Sequence, residues 1–164
     1  MPVTTFSRFA ALLALAALTA GLIALLRPAA FAGVGFRNGV GLAALVATGA
    51  TAGSLLYSEH YGFEPCLLCW YQRIAMYPLA VILFIGWLKS DRSVVRYVVP
   101  PALIGSAISL WHLANQWLLT ASSCDIGPSC AVRYVTEFGF VTIPFMALSG
   151  FVAIVGVLYA VRKQ

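Results

Sequence analysis

Five stretches of the chain, residues 9–26, 40–57, 69–88, 98–119 and 138–161, are apolar runs that between them contain a single charged side chain, Arg73. Crossing the hydrocarbon layer takes about 20 residues at a rise of about 1.5 Å each, and every run meets or approaches that length. Lipid offers no water to backbone N–H and C=O groups, so only helices or closed barrels satisfy them there. Period-two alternation is absent, so the runs are expected to be helices. The fold class is therefore an all-α integral membrane bundle with no soluble domain at either end. Composition agrees: 62% of residues are hydrophobic and 9% charged, against roughly a quarter charged in ordinary globular proteins. Ten basic and five acidic side chains are too few to coat a soluble surface. Soluble enzyme folds and disordered tails are excluded. A nucleic-acid partner is excluded too, because the net charge of +5 is scattered between apolar spans and forms no basic face.

Lysine and arginine in the short connections set the orientation. Lys89, Arg92 and Arg96 mark the connection between the third and fourth runs as cytoplasmic, and Arg162 and Lys163 close the chain on the same side. Alternate threading then puts residues 58–66 and 120–137 outside and Arg27 and Arg37 inside, with seven basic residues inside and three (Arg8, Arg73, Arg133) at the outer side or boundary. All four cysteines fall on the non-cytoplasmic side, where disulfides persist. The first run, followed by Pro28-Ala29-Ala30-Phe31-Ala32, has features of a signal peptide. Cleavage would start the next helix outside, against the charges further on, so an uncleaved extra helix with its N-terminus outside is expected. Gly49 and Gly53, four apart, suggest a short small-residue packing face. Pro78 and Pro144 are expected inside spans as kinks, and Pro100-Pro101 in a first helical turn.

The most informative segment is Glu64-Pro65-Cys66-Leu67-Leu68-Cys69-Trp70-Tyr71-Gln72-Arg73. Pro65 suits a first helical position, which puts both cysteines in the opening turn of the next helix, where the dipole and unpaired N–H groups favour thiolate. Positions 66, 69 and 73 share a helical face, so Arg73 follows the sulfurs by about one turn and can stabilise a thiolate or a reduced ring oxygen. A c-type haem site needs histidine where Trp70 stands, and a thioredoxin domain needs a soluble sheet. Against them stands a purely structural pair, with Arg73 snorkelling and Trp70 and Tyr71 as belt aromatics. Spacing, compartment and an arginine within the span together favour a redox pair.

Cys124 and Cys130 flank Gly127-Pro128, a turn able to bring them into bonding distance. So short a loop gains little from closure, which favours an exposed, reducible disulfide over a structural staple. His112, in the fourth run, is either a satisfied core histidine or a donor near the thiols, with Gln116 one turn further on the same face. Glu59 and His60 read as solvated loop residues, and Asp125 as tuning loop charge. The cross-class alternative is a structural zinc site built from all four cysteines, or structural disulfides, without redox turnover.

On these residues the chain resembles the disulfide bond formation protein B family (DsbB and its shorter BdbC relatives). The likeness runs from about Gly39 to the end. It rests on Glu64 to Pro78, read as Glu-x-Cys-x-x-Cys-Trp-Tyr-Gln-Arg-x-x-Met-Tyr-Pro, on a histidine before the second cysteine loop, and on 138–145. The resemblance implies a four-helix transmembrane bundle of the DsbB type at 38–164, preceded here by an extra helix or leader at 1–37. It implies a bacterial inner-membrane thiol:quinone oxidoreductase that reoxidises an extracytoplasmic, thioredoxin-fold DsbA-like dithiol oxidase and passes electrons to ubiquinone or menaquinone in the lipid. Carried over by position, Cys124 forms the mixed disulfide with the partner and Cys130 completes the outer pair. Cys66 exchanges with that pair and Cys69 faces the quinone, attacking its ring before Cys66 resolves the adduct. Arg73, His112 and Ile143 contact or line the quinone pocket. The second loop is shorter than in long-loop members, so their membrane-lying loop helix is expected to be missing. Vitamin K epoxide reductase-like proteins also carry Cys-x-x-Cys among membrane helices, but on the last core helix, which disfavours them here.

Overall fold

The computed structural model describes residues 2–118 and 129–162. Five helices follow in order: α1 Val3–Leu26, α2 Phe36–Leu55, α3 Leu67–Lys89, α4 Val94–Trp117 and α5 Ile143–Arg162. Each is long and apolar enough to cross a membrane. A 3-10 turn, Pro28–Phe31, links α1 to α2, and a widened turn, Leu56–His60, extends α2. The described residues contain no strand, only an isolated bridge between Glu137 and Val141. The all-α bundle with an added N-terminal helix is thus present.

α5 is the most enclosed helix. It packs against α1 on one side and α2 and α4 on the other. Val40, Ala44 and Ala47 of α2, Leu79 and Leu83 of α3, Val98 and Ala102 of α4, and Phe151, Ile154 and Leu158 of α5 form the core. Leu12, Ile74, Phe84 and Leu110 remain exposed, as expected of side chains that meet lipid instead of water.

Several sequence expectations change at the helix ends. The chain enters α3 two residues later than Pro65 suggests: Cys66 is the N-cap, in extended conformation, and its carbonyl accepts from Trp70 N–H at 3.1 Å. Pro65 fixes the extended approach and stands outside the helix. Pro100 and Pro101 lie inside α4, not in its first turn, because apolar Val94, Val95 and Val98 are buried and draw the helix start back. The carbonyls freed by the prolines belong to Arg96 and Tyr97, both exposed at that end. Pro144 is the second residue of α5, so its missing N–H costs nothing and no kink is required. The fifth run starts as a tight turn at 137–141, closed by reciprocal Glu137 and Val141 backbone hydrogen bonds of 2.9 Å, with Gly139 at φ +80°.

The small-residue contact also lies elsewhere than expected. A Cβ on Gly49 or Gly53 would meet nothing within 4 Å. At Gly21 of α1 it would lie 2.7 Å from Ala153 Cα and 2.8 Å from Val152 O, and at Gly156 of α5 it would meet the Gly21 backbone. α1 and α5 cross there with their backbones in contact, which only glycine permits. At the other end of α1, Tyr57 donates to Ser7 at 3.2 Å, Arg8 pairs with Glu137 at 3.6 Å, and Phe6 meets Tyr57 edge-on. An aromatic column continues from Tyr57 through Phe63 to Tyr134. The start of α1 therefore shares an end of the bundle with both cysteine-bearing loops. Lys89, Arg92, Arg96 and Arg162 lie at the opposite end.

Gly21→Ala should force the crossing apart and cost about 1–3 kcal/mol of stability. Gly49→Ala should be neutral or stabilising by up to about 1 kcal/mol through helix propensity. Thermal unfolding of the purified protein in detergent compares the two, and equal melting temperatures would contradict the crossing.

Candidate functional site

Helix geometry assembles the first cysteine pair. Cys66 caps α3 and Cys69 is its third residue, so the sulfurs lie on one face, 3.3 Å apart and hydrogen-bonded as free thiols. Cys66 is buried and Cys69 half-buried. His112 of α4, 2% exposed, stands against them, with Nε2 3.6 Å from Cys66 Sγ. The same nitrogen is 3.1 Å from the carbonyl oxygen of Cys130. On the other side of the ring, Gln72 Nε2 lies 3.5 Å from Nδ1. With the Gln72 amide donating to Nδ1, the ring proton sits on Nε2, shared between the Cys66 sulfur and the Cys130 carbonyl.

Cys130 is buried and disulfide-bonded. Cys124 and Asp125 lie outside the described residues. The segment that carries Cys130 is fastened along the last turn and a half of α4. His112 meets the carbonyl of Cys130, Gln116 Nε2 donates to the carbonyl of Val132 at 3.2 Å, and Arg133 lies over the Trp117 ring at 4.4 Å. The face shared by His112 and Gln116 is thus the seat of the second cysteine loop. A small cavity of about 20 Å³ opens beside the sulfurs, lined by Cys66, Cys69, His112, Gln116, Ile143 and Pro144.

Six of the seven site residues named from sequence fall within the described residues, and five of these meet in one place. Cys66, Cys69, His112 and Ile143 line the cavity, and Cys130 adjoins it. Arg73 does not join them. Its Nε donates to Ser54 Oγ at 3.0 Å and its Nη2 to Ser54 O at 3.1 Å, while its guanidinium lies over Trp70. Tyr77 donates to the same hydroxyl at 3.3 Å. Position 73 is one turn below Cys69, yet the side chain swings to the end of α2, where the widened turn presents an acceptor. A disulfide at Cys130 also leaves no set of four thiolates for a four-cysteine zinc site. Gln72 and Ser54 received no role from sequence. Gln72 carried a usable signal, a polar side chain three positions after Cys69 in an apolar span. Ser54 carried none, because its role depends on how α2 ends.

Cys66 lies just before the membrane-spanning part of α3. The Cys69 thiol donating to its sulfur, aided by His112, holds the Cys66 thiol well below the ordinary thiol range, against the opposing effect of burial. A thiolate therefore forms readily at Cys66.

Residues 36–161 match the family described as Disulfide bond formation protein DsbB. The chain belongs to the DsbB family. It is 48% identical over 119 residues, 70% of this chain and 85% of the relative, to the "Probable disulfide formation protein C 1" of Bacillus cereus. It is 46% identical over 114 residues, 68% of this chain and 83% of the relative, to "Disulfide bond formation protein C" of Bacillus subtilis. No solved structure matches significantly. DsbB-family membership and the spanning helices make the chain a multi-pass membrane oxidoreductase of disulfide bond formation. α1 precedes the matched segment.

With Cys124 and Cys130 replaced by serine, the thiolate ultraviolet absorbance of the reduced protein should appear at a pH below the ordinary thiol pKa of about 8.5. Adding His112→Ala should move that first ionisation upward. A first ionisation at the ordinary value, or one indifferent to His112, would contradict the geometry.

Proposed function

We propose that the protein is a thiol:quinone oxidoreductase of the bacterial cell membrane, with its cysteines on the extracytoplasmic side. It would reoxidise a soluble, thioredoxin-fold DsbA-like dithiol oxidase and pass the electrons to ubiquinone or menaquinone. The observation that carries the reading is the meeting of the Cys66–Cys69 pair and the Cys130 segment on one histidine, His112. Two thiol pairs from different loops gain nothing structural from such closeness, whereas disulfide exchange needs sulfurs within reach of each other. The orientation rests on Lys89, Arg92, Arg96 and Arg162 at the end away from the cysteines.

The relay runs as follows. A partner thiolate attacks Cys124 of the Cys124–Cys130 disulfide, and the second partner thiol resolves the mixed disulfide, leaving the outer pair reduced. Cys130 or Cys124 as thiolate attacks Cys66 of the Cys66–Cys69 disulfide, and Cys69 leaves as the thiolate. Resolution restores the outer disulfide and leaves the inner pair as the dithiol, the state described here for Cys66 and Cys69. His112 keeps Nε2–H directed at Cys66, with Nε2 3.6 Å from Sγ, where it stabilises that sulfur as it leaves as a thiolate. Gln72 keeps the ring turned that way.

The donor set suits a quinone substrate. Ile143, Pro144 and Val135 give an apolar wall, and His112 a polar one. A cavity of about 20 Å³ holds a water molecule and not a ring, so the acceptor is met at the half-exposed side of Cys69. The quinone supplies a lipid-soluble sink for two electrons and two protons. Arg73, held at Ser54 one turn below Cys69, is the nearby cation for the reduced ring oxygen.

Cys69→Ser should abolish quinone reduction while Cys124–Cys130 still accepts one pair of electrons from the partner. Stopped-flow reduction and steady-state turnover separate the two steps, and undiminished steady turnover would reject the assignment. Arg73→Ala should raise the apparent KM for quinone roughly tenfold, about 1.4 kcal/mol. A lowered melting temperature with unchanged KM would instead make Arg73 only an anchor for the end of α2.

A further inference from the structure

Reduction of the Cys66–Cys69 pair creates more than an electron donor. Cys66 Sγ, Cys69 Sγ and His112 Nε2 all lie within 4.8 Å of one another. The two sulfurs are 3.3 Å apart, and Cys66 Sγ is 3.6 Å from Nε2. Tetrahedral zinc with Zn–S of about 2.3 Å and Zn–N of about 2.0–2.1 Å requires S···S and S···N edges of about 3.8 and 3.6 Å. Two edges of the triangle therefore lie close to the spacing of one face of a zinc tetrahedron, and the third, from Cys69 Sγ to Nε2, is at most 4.8 Å. Cys66 and His112 are 5% and 2% exposed, so bulk water competes little for the site.

A second observation concerns the fourth position. Gln116 has its Nε2 fixed on the Val132 carbonyl, while its Oε1 is buried and has no hydrogen-bond partner. This side chain lines the cavity of about 20 Å³ beside the sulfurs, together with the three ligand atoms' residues. That volume holds one water molecule. A water bound to a cation there has two protons to donate, and Gln116 is an acceptor placed to take one. Gln72 completes the arrangement. A half-turn of its amide presents Oε1 to Nδ1–H, the outer contact that a metal-bound histidine ordinarily makes. The interactions given up are the Nε2 contact with the Cys130 carbonyl and the hydrogen bond between the two thiols, while the Gln72 contact is kept with its direction reversed.

We propose that the reduced protein carries a Cys66–Cys69–His112 site for one thiophilic divalent cation, zinc being the physiological case. Binding takes up M²⁺ as a bis-thiolate and releases the thiol protons the pair still holds, two from the dithiol and one once Cys66 is ionised, with no change in oxidation state. The disulfide form has no thiolate ligands and does not bind. The site is therefore gated by the redox state of the pair, and an occupied site halts the relay at the dithiol stage. The binding claim rests on the dithiol geometry alone; the arrest of turnover rests also on the relay proposed above.

Cadmium serves as the probe, because its thiolate bonds give a charge-transfer absorbance. Full-length protein with Cys124→Ser and Cys130→Ser, which removes the competing outer dithiol, is titrated in detergent after phosphine reduction. One equivalent of Cd²⁺ should bind to the reduced form and none to the oxidised form. Cys69→Ser should abolish the band, and His112→Ala should weaken affinity at least tenfold. Gln116→Leu, which leaves all three ligands in place, should weaken it by a smaller factor, so the result does not depend on His112→Ala folding. No binding to the reduced form, equal binding to the oxidised form, or an affinity unaffected by both His112 and Gln116 substitutions would overturn the proposal. In the unaltered protein, micromolar Zn²⁺ should inhibit turnover, with relief by chelator. Metal-free quinone reduction is assayed in parallel, so loss of the relay and loss of the metal site are read separately.

Discussion

His112 is the hinge of the arrangement, because one buried imidazole answers to three different segments. Its Nε2 faces the sulfur of the α3 N-cap and the carbonyl of the Cys130 segment, while its Nδ1 faces Gln72 a turn further along α3. A neutral imidazole has one donor and one acceptor nitrogen, so fixing one side fixes the other. In a low-dielectric setting a polar side chain without partners is costly. The contacts of His112 therefore do two things at once: they satisfy the ring, and they hold the Cys130 segment beside the Cys66–Cys69 pair. The local chemistry at Cys66 follows from that closeness.

The bundle around this point is ordered by close backbone contacts. α5 occupies the centre, and α1, which lies before the family-matched segment, reaches it through Gly21 against Ala153 and Gly156. The start of α1 is tied by Ser7, Arg8 and Phe6 to Tyr57 and Glu137. From Tyr57 the aromatic column passes through Phe63 to Tyr134, which lines the cavity beside the cysteines. The additional helix is thus packed into the same end of the molecule as the site.

Much of this was legible in the residues. The five apolar runs gave five helices, since lipid leaves the backbone no alternative. The Cys-x-x-Cys spacing put both sulfurs together at the start of α3, and the interval from His112 to Gln116 put those two side chains on one face, though it did not say what packs there. Details decided by tertiary packing were not legible. Pro100 and Pro101 signal a helix start, yet burial of Val94, Val95 and Val98 outweighs that local preference. Gly49 and Gly53 have the right spacing for a helix contact, but spacing carries no information about which helix approaches, and none does. Arg73 has the right register for the sulfurs, but a long side chain chooses its partner by reach, and Ser54 offers two acceptor atoms. The matched family supports the helices and the motif; it does not bear on where that guanidinium points.

The central claim is that Cys66 and the outer cysteine loop lie within disulfide-exchange distance. Replacing Cys69 and Cys124 by serine leaves Cys66 and Cys130 as the only thiols. Under mild oxidation of dilute protein, mass analysis without reductant should find them joined within one chain. Two free thiols under the same conditions, or disulfides only between chains, would contradict the account.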